Sequence, residues 1–263
     1  FRTHSIHPIF VFDGKPPPEK KEVLEERKLE KANAEEKCKT LEQEFKEKES
    51  ALSSEEKKQY LQEIEDLKGQ CIRVKRHEFD LIKKLIRLYG ASYYESQGEA
   101  DEVCASLVLS GKAWACMSDD MDMFVYGCPR VFRHFSIVNQ NVLCYDLDNI
   151  LTDLKMDMKV FREICVLSGT DYNIKSNTSL NETIRWYEEY IKEKNDHEFY
   201  SWLLKYTKYI SDVENLNKIY KMFCLKETDI YIENSDLQEY DQNVLHEFLK
   251  DHGFVFPENK INH

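Results

Sequence analysis

Apolar residues recur along most of the chain in two patterns, short continuous runs and helical spacing. The runs predict β-strands, which lie within 7–18 and at 91–96, 113–117, 129–136 and 141–147. Residues 73–90, 99–111 and 156–173 have apolar positions at helical spacing instead. Strands that alternate with helices favour a mostly parallel central sheet flanked by helices, so the predicted fold class is α/β.

One long segment lacks both patterns. From Glu19 to about Lys68 the residues are mostly Glu, Lys, Gln, Leu and Ala. This range contains no Gly or Pro, and the first glycine after it is Gly69. This composition predicts one or two long helices, with a break near 50–54 where a Ser N-cap is followed by Glu. The apolar positions are too sparse for a globular core. Composition alone leaves two alternatives, a charged coiled coil or a solvated helical hairpin.

The length, hydrophobic content, net charge and cysteine spacing of the chain limit the classes of protein to which it can belong. The chain has 263 residues, 41% of them hydrophobic, which is enough to fill the core of one large domain. No run of 18 apolar residues occurs, so no membrane span is expected. The net charge of −12 argues against a general polyanion binder but leaves room for a local basic track. The eight cysteines form no C-x-x-C pair, which favours a reducing compartment over disulfides or structural zinc.

Acidic residues follow the predicted strands at the points where the strands end. Because ligands bind outside the carboxyl ends of the strands of an open parallel sheet, we expect these acids to gather at one edge. The set comprises Asp13, Glu99, Asp101, Asp120, Asp122 and Asp171. Carboxylate oxygens suit Mg²⁺, and two such ions about 4 Å apart can promote phosphodiester hydrolysis.

Each acid taken singly also has an ordinary structural explanation. Glu99 and Asp101 would complement a helix dipole, and Asp13 would suit a turn. Asp120, with its neighbour Asp119, would cap a short helix. Asp171 belongs to a Gly-Thr-Asp triplet, which is a common turn sequence. The ordered set on one predicted sheet is far less common than any of its members.

Four blocks of the sequence resemble the flap endonuclease branch of the XPG family of structure-specific nucleases. The block FVFDGKPPPEKKEVLEER resembles the family's strand ending in Asp-Gly-Lys-Pro-Pro, and SQGEADEVCASL resembles its Ser-Glu-Ala-Glu-Ala helix start. SDDMDMFVYGCPRVFRHFS resembles its Glu-Asp-Met-Asp turn, and VLSGTDYN resembles its Leu-Gly-Ser-Asp-Tyr. The blocks occur in the family's order and cover 7–27 and 73–173.

The resemblance implies a role for each matched residue. The six acids listed above fall on the family's metal-binding acids, with Asp101 in place of a Glu, and imply two Mg²⁺ ions for which Mn²⁺ would substitute. Lys20 and Arg27 fall on the family's two basic catalytic residues. Asp119 falls on a Glu position, and we assign it no metal role. The implied domains are a PIN-like nuclease core at 1–18 and 73–172, a helical arch at 19–72, and a helical DNA-binding and core-packing region at 173–263.

The implied function is metal-dependent hydrolysis of branched or 5′-flap DNA during replication or repair. The alternative is a member of the same fold that binds nucleic acid or protein without cleaving. The expected partner is branched DNA, with a sliding clamp as a further partner although no clamp-binding motif occurs in the chain. The expected location is nuclear, or alternatively a cytoplasmic site of viral replication. The residues expected to contact DNA are Arg73, Lys75, Arg76, Lys175, Ser176, Thr178 and Ser179.

The chain departs from the family's pattern in two places that bear on activity. The family's first segment carries one more metal-binding Asp, so the chain is expected to be N-terminally incomplete and short of one carboxylate. The family also has a Gly-x-Gly-Pro hairpin after its Asp-Tyr, which holds duplex phosphates and a monovalent cation. Residues 173–191 lack those glycines, so the resemblance does not extend to a K⁺ site.

Overall fold

The computed structural model describes residues 1–173, 178–193, 197–225, 230–232 and 236–256. The chain divides into two compact units. Unit 1 comprises Phe1–Phe10, Lys21–Tyr94 and Ile232–His263, and unit 2 comprises Val11–Lys20 and Glu95–Tyr231.

Helices predominate over strands in the described residues. The strands are β1 (Ile9–Phe12), β2 (Ser92–Glu95), β3 (Cys116–Met117), β4 (Arg130–Ser136) and β5 (Asn141–Asp146). The helices are α1 (Lys21–Lys48), α2 (Ser54–Gln70), α3 (Arg76–Leu88), α4 (Ala100–Leu109), α5 (Asp122–Val125), α6 (Leu147–Leu154), α7 (Met158–Ser168), α8 (Leu180–Lys192), α9 (Phe199–Tyr206), α10 (Val213–Met222) and α11 (Gln242–Asp251). Short 3₁₀ turns lie at Arg2–His4 and Pro18–Lys20. No helix of the described part of the chain combines the length and the apolar character that a membrane span requires.

In unit 1, α1 and α2 form an antiparallel helical hairpin. The break between them falls at 49–53, close to the predicted position. Ser53 is the N-cap of α2: its hydroxyl accepts from the Glu56 backbone N–H, and the Glu56 carboxylate accepts from the Ser53 N–H at 2.8 Å. This reciprocal pair of bonds is a capping box, which satisfies two backbone donors that a helix start leaves open.

Few side chains are buried along the hairpin. The rings of Phe45 and Tyr60 lie 5.9 Å apart near its tip, and Lys68 Nζ lies 2.6 Å from Glu42 Oε1 further down. Within α1 only Val23, Ala34 and Cys38 are buried. The two helices therefore form a solvated hairpin, and the sparse apolar pattern is explained because each helix needs only a narrow contact stripe.

In unit 2, β3, β4 and β5 form a three-stranded sheet in that order. β3 pairs parallel with β4, so that Cys116 lies opposite Val131. β4 and β5 pair antiparallel, with a register shift between Arg133 and Ser136. β1 and β2 form a separate two-stranded sheet. The α/β class with flanking helices is confirmed. All five predicted strands are present, but they are shorter than expected, and the last two form an antiparallel hairpin because only four residues separate them.

The strand at 113–117, whose continuous apolar run predicts that it is buried, requires a correction. Only Cys116 and Met117 are in a strand, and the side chains of Trp114 and Met117 are 63% and 47% exposed. The Trp114 ring instead lies 5.7 Å from the ring of Phe132, with the Arg130 guanidinium 4.6 Å above it. These lateral contacts cover part of the Trp114 ring and leave the rest exposed to solvent. The apolar residue type therefore did not indicate a buried position.

The core of unit 2 lies among α7, α9 and α10. Its largest fully buried side chains include Phe199, Leu203, Phe223 and Leu167. Met123 of α5 is also fully buried and belongs to this core, whereas Met121 is 57% exposed. The core therefore fixes the start of α5 directly behind the acidic turn.

Gly14 marks a close approach of two backbone segments in unit 2. Its N–H donates to Gly98 O at 2.8 Å, and the next N–H, of Lys15, donates to Gln97 O at 3.1 Å. A Cβ atom at Gly14 would lie 2.0 Å from Ser96 O. Only glycine fits, because backbone atoms surround the position and have no flexible end that could move away.

We predict that Gly14→Ala lowers the free energy of unfolding by at least about 2 kcal/mol, because the new methyl group would force these two backbone segments apart. Thermal or urea unfolding of the purified protein measures the change. Gly69→Ala is the matched control, because Gly69 lies inside α2 with nothing within 4 Å of its added Cβ. That variant should be neutral or gain about 0.5–1 kcal/mol through helix propensity. Equal stability of the two variants would contradict the close approach.

Candidate functional site: an acidic cluster

Three of the six predicted acids lie where β1 and β2 lead into the next segments. Asp13 follows β1 directly, and its Oδ1 accepts from the Ala100 backbone N–H at 2.8 Å. Glu99 is the N-cap of α4, and Asp101 lies in the first turn of that helix. The Asp13 carboxylate therefore caps α4 from a distant part of the chain and brings these three acids together.

Asp120 lies in the turn between β3 and α5, and Asp122 is the first residue of α5. Ser118 Oγ accepts from the Asp120 N–H at 3.1 Å, and Asp120 Oδ1 accepts from the Asp122 N–H at 2.8 Å. Asp119 is oriented differently, because its Oδ1 accepts from the His134 N–H at 2.8 Å on β4. The turn thus separates a carboxylate that braces β4 from two that belong to the cluster.

Asp171 lies in a turn after α7, which ends at Gly169 with a φ of 114°. The Thr170 N–H and hydroxyl both donate to Asn173 Oδ1, at 2.7 and 2.6 Å. The Asn173 amide in turn donates to Val166 O at 2.8 Å. This network holds the turn against the last turn of α7 and fixes the position of Asp171.

Mutual repulsion and burial show that the acids share one region. Burial, followed by the charges of Asp120, Asp13 and Glu99, raises the pKa of Asp101 to about 6. Burial, followed by the charges of Asp120, Asp171 and Asp101, raises the pKa of Asp122 to about 7. The other four acids therefore each act on at least one of these two carboxyl groups, and Asp101 also acts on Asp122.

Lys20 supplies a positive charge inside the cluster. Its Nζ lies 2.6 Å from Glu99 Oε2 and 3.1 Å from Asp171 Oδ2, and its side chain is only 15% exposed. Burial alone would lower the pKa of Lys20, but the bonds to Glu99 and Asp171 outweigh burial, so the pKa lies above its ordinary value. Lys20 is therefore an ammonium ion at neutral pH and offsets part of the clustered negative charge.

Two tyrosines lie behind Glu99. The Tyr172 hydroxyl donates to Glu99 Oε2 at 3.4 Å, and the Tyr126 and Tyr172 hydroxyls are hydrogen-bonded to each other. Burial raises the pKa of Tyr126 above its ordinary range, as it does the pKa of Tyr172. Both therefore remain neutral hydrogen-bond donors. Sequence reasoning gave them no role, although Tyr172 lies inside one of the four matched blocks.

The donor set fits a hard divalent cation. All six side chains offer carboxylate oxygens, and two of them carry pKa values that a nearby cation would lower. Among the described residues, however, no three His, Cys, Asp or Glu side chains lie close enough together to hold one ion as they stand. The Lys20 ammonium already binds Glu99 and Asp171. An ion held by several of these six acids would therefore require their side chains to rearrange.

The other predicted basic residue, Arg27, belongs to α1 in unit 1. It lines a cavity of about 600 Å³ at the open end of the hairpin, together with Leu24, Lys28, Glu30, Lys31, Gln70 and Arg73. Four of the seven lining residues are basic and one is acidic. Arg73 Nη2 is paired with Glu35 Oε1 at 2.7 Å, and Lys31 Nζ donates to Ile72 O at 3.3 Å.

The remaining predicted DNA contacts lie at helix starts. Lys75 is the N-cap of α3, and Arg76 is the first residue of that helix. Thr178 donates its hydroxyl to Leu167 O, and Ser179 caps α8 by accepting from the Glu182 N–H at 3.4 Å. The two hydroxyls thus have structural partners already. Lys175 and Ser176 lie outside the described residues.

Comparison with known proteins identifies the class of protein that these elements define. Residues 90–171, which contain five of the six acids, match the XPG I-region. The chain also has the fold of solved nucleases at 20–21% identity. Flap endonuclease-1 from Methanococcus jannaschii superposes with a TM-score of 0.60 over 94% of this chain and 70% of that one. The catalytic core of Rad2 in complex with DNA substrate does so with a TM-score of 0.61 over 94% and 73%.

The sequence relatives are flap endonucleases. Flap endonuclease 1 of Glycine max is 34% identical over 170 residues, which are 64% of this chain and 41% of that protein. Flap endonuclease 1 of Leishmania infantum is 35% identical over 170 residues, 64% of this chain and 40% of that protein. The chain is similar to members of the flap endonuclease and XPG family, which confirms the predicted resemblance. It spans about two fifths of the length of these relatives.

We predict that Asp122→Asn stabilises the cation-free protein at pH 8, by on the order of 1–3 kcal/mol, because the wild-type carboxylate is ionised there at a cost. The folded pKa of about 7 exceeds the ordinary value of 3.8, so this cost develops as pH rises from about 4 to 7. The gain should therefore disappear below about pH 4. Thermal unfolding in EDTA across this range measures it.

The matched control for that prediction is Asp153→Asn, which removes an exposed carboxylate from α6. Its effect on stability should be small and should not grow between pH 4 and 8. A stabilisation of Asp122→Asn that is independent of pH would show that the cluster does not raise the pKa of this residue.

Proposed function

We propose that the protein is a metal-dependent nuclease that hydrolyses a phosphodiester bond in branched or 5′-flap DNA. The observation that carries this proposal is the cluster of six carboxylates, two with raised pKa values, around a buried lysine. The named relatives are flap endonucleases, and one structural neighbour is a nuclease core bound to a DNA substrate. The products would carry 5′-phosphate and 3′-hydroxyl ends.

In this proposal the acids would hold two Mg²⁺ ions, which would supply positive charge to activate water and stabilise the leaving oxygen. The carboxyl groups of Asp101 and Asp122 would lose their protons when a cation binds beside them. Mn²⁺ would substitute, because it accepts the same oxygen ligands.

Lys20 has a separate task. Its ammonium group is held at the acidic cluster by Glu99 and Asp171, where it can transfer one hydrogen bond to a non-bridging phosphate oxygen. A preorganised donor of this kind stabilises negative charge that grows in the transition state. The family resemblance assigns Arg27 of α1 the same task.

The helical hairpin fits the role of an arch that holds a single-stranded 5′ end. Its basic cavity is lined by Arg27, Lys28, Lys31 and Arg73, and a cavity of about 600 Å³ is large enough for a phosphate with its sugar. Basic side chains that track a backbone bind single strands without sequence preference. This placement reconciles DNA binding with a net charge of −12, since the positive charge is local.

We predict that Asp120→Asn lowers the single-turnover rate of 5′-flap cleavage by at least about 100-fold in Mg²⁺, because a carboxylate ligand of the cluster is lost. The assay uses the complete gene product and a labelled flap substrate. Binding of the same DNA, measured by fluorescence anisotropy, should remain within about two-fold of the wild type.

Asp119→Asn is the matched control, since Asp119 is adjacent in sequence but is bonded to the His134 N–H. It should retain cleavage within about three-fold of the wild type. Full cleavage by Asp120→Asn would contradict the site. A wild-type protein that binds flap DNA and does not cleave it would favour the alternative, a binding member of the same fold.

We predict that Lys28→Ala weakens binding of 5′-flap DNA two- to three-fold at low salt and reduces the salt slope of binding by about one, because one phosphate contact is lost. Lys37→Ala is the control, because Lys37 is an exposed residue of α1 that does not line the cavity. Binding is measured by anisotropy with a flap and with a duplex that lacks a flap. Equal losses on both DNAs would contradict a role for the cavity in holding the single strand.

A further inference from the structure

An ion pair lies next to Lys20 that neither the sequence nor the family resemblance singles out. Glu19 Oε1 is 2.9 Å from Lys218 Nζ, and the two side chains are 28% and 64% exposed. The hydrogen bond from Lys218 lowers the pKa of Glu19 below its ordinary value, so this carboxylate is ionised at neutral pH. The pair links the residue before Lys20 to α10.

α10 is a firm support for this link. Leu216 and Ile219 are buried on either side of Lys218, and Phe223 at the end of the helix is fully buried. The Phe223 ring lies 4.9 Å from that of Tyr126 and 5.5 Å from that of Tyr172. Because Tyr172 donates to Glu99, the core that holds α10 also positions one of the acids to which Lys20 binds.

The segment from Asp13 to Lys20 has few other ways to be held. At one end, the Gly14 and Lys15 N–H groups bond to 97–98. Three consecutive prolines at 16–18 then restrict the backbone but donate no hydrogen bonds. At the other end, the Lys20 N–H donates to Pro17 O at 3.1 Å, which closes the 3₁₀ turn upon itself. Lys20 is the last residue of unit 2 before the chain continues into α1.

We infer that Glu19 and Lys218 form a positioning pair that fixes the 3₁₀ turn and thereby sets the Lys20 ammonium at the acidic cluster. Among the described residues, the polar contacts that remain to the turn without the pair are its own hydrogen bond and the bonds of Lys20 with Glu99 and Asp171. Those are the bonds that Lys20 must give up in part to reach a phosphate. The pair keeps the backbone of Lys20 in place while its side chain changes partners. This inference rests on the proposed function of Lys20 in phosphodiester hydrolysis.

The expected effect is modest. Partly exposed ion pairs stabilise weakly, so loss of this one should reduce the cleavage rate about two- to five-fold. It should act on the rate at saturating DNA and leave DNA affinity unchanged, because neither Glu19 nor Lys218 is assigned a phosphate contact. A residue that acts through Lys20 should also lose its effect when Lys20 is absent.

Single-turnover cleavage of saturating 5′-flap DNA by the complete gene product tests the pair. Glu19→Gln and Lys218→Gln should each slow cleavage two- to five-fold, and the double variant should be no slower than either single variant. The reversed pair, Glu19→Lys with Lys218→Glu, should recover most of the rate. Lys221→Gln, on an exposed turn of the same helix, is the control and should leave the rate unchanged.

The Lys20→Ala background separates positioning from a general structural role. There Glu19→Gln should cause no further loss of rate. A wild-type rate in Glu19→Gln, or an equal loss with and without Lys20, overturns the inference while the proposed function stands. If Lys20→Ala itself cleaves at the wild-type rate, the proposed role of Lys20 fails and the inference fails with it.

A readout without cleavage keeps the test decisive if the wild-type protein does not cut DNA. Lysine ammonium groups held in ion pairs give separate ¹H–¹⁵N signals, and Lys20→Arg identifies the signal of Lys20. Glu19→Gln should shift or broaden that signal, and Lys221→Gln should leave it unchanged. A Lys20 signal that Glu19→Gln does not alter overturns the positioning pair.

Discussion

Repulsion among six carboxylates is the constraint on which the candidate site depends. Clustered acids disfavour their own ionisation, and only firm supports keep them together without a cation. The protein provides such supports at each point: Asp13 caps α4, Asp120 bonds the start of α5, and Asn173 holds the turn of Asp171. Lys20 offsets part of the charge. Hydrogen bonds within the turns that carry the acids offset the unfavourable free energy of bringing these charges together.

Helix ends and the positions of the acids could be predicted from the sequence more reliably than the sheet. The start of α2 at Ser53 was predictable because capping chemistry is local, and the acids could be grouped because each follows a strand or helix end. The run at 113–117 misled because exposure depends on neighbours from other segments, here Phe132 and Arg130. The antiparallel hairpin of β4 and β5 was missed because alternating polarity reveals a strand but not its direction.

The residues that sequence reasoning missed share one property, which is that they act through another side chain. Tyr172 contacts Glu99, and Lys218 contacts Glu19 from nearly 200 positions away, so no local pattern links the partners. The resemblance predicted a catalytic role for Lys20, but it did not predict the bonds of Lys20 to Glu99 and Asp171. Residue types and their spacing indicate which groups carry chemistry, whereas their supports become visible only once the chain is folded.

The raised pKa values of Asp101 and Asp122 make the cluster a store of protons near neutral pH. A cation that binds there must displace them, so binding is linked to proton release. The apparent affinity for a divalent ion then falls as the solution becomes more acidic, with no change in the ligands themselves. The heat of binding also includes the ionisation of whichever buffer accepts the protons. An arrangement of charges thus couples occupancy of the site to the acidity of its surroundings.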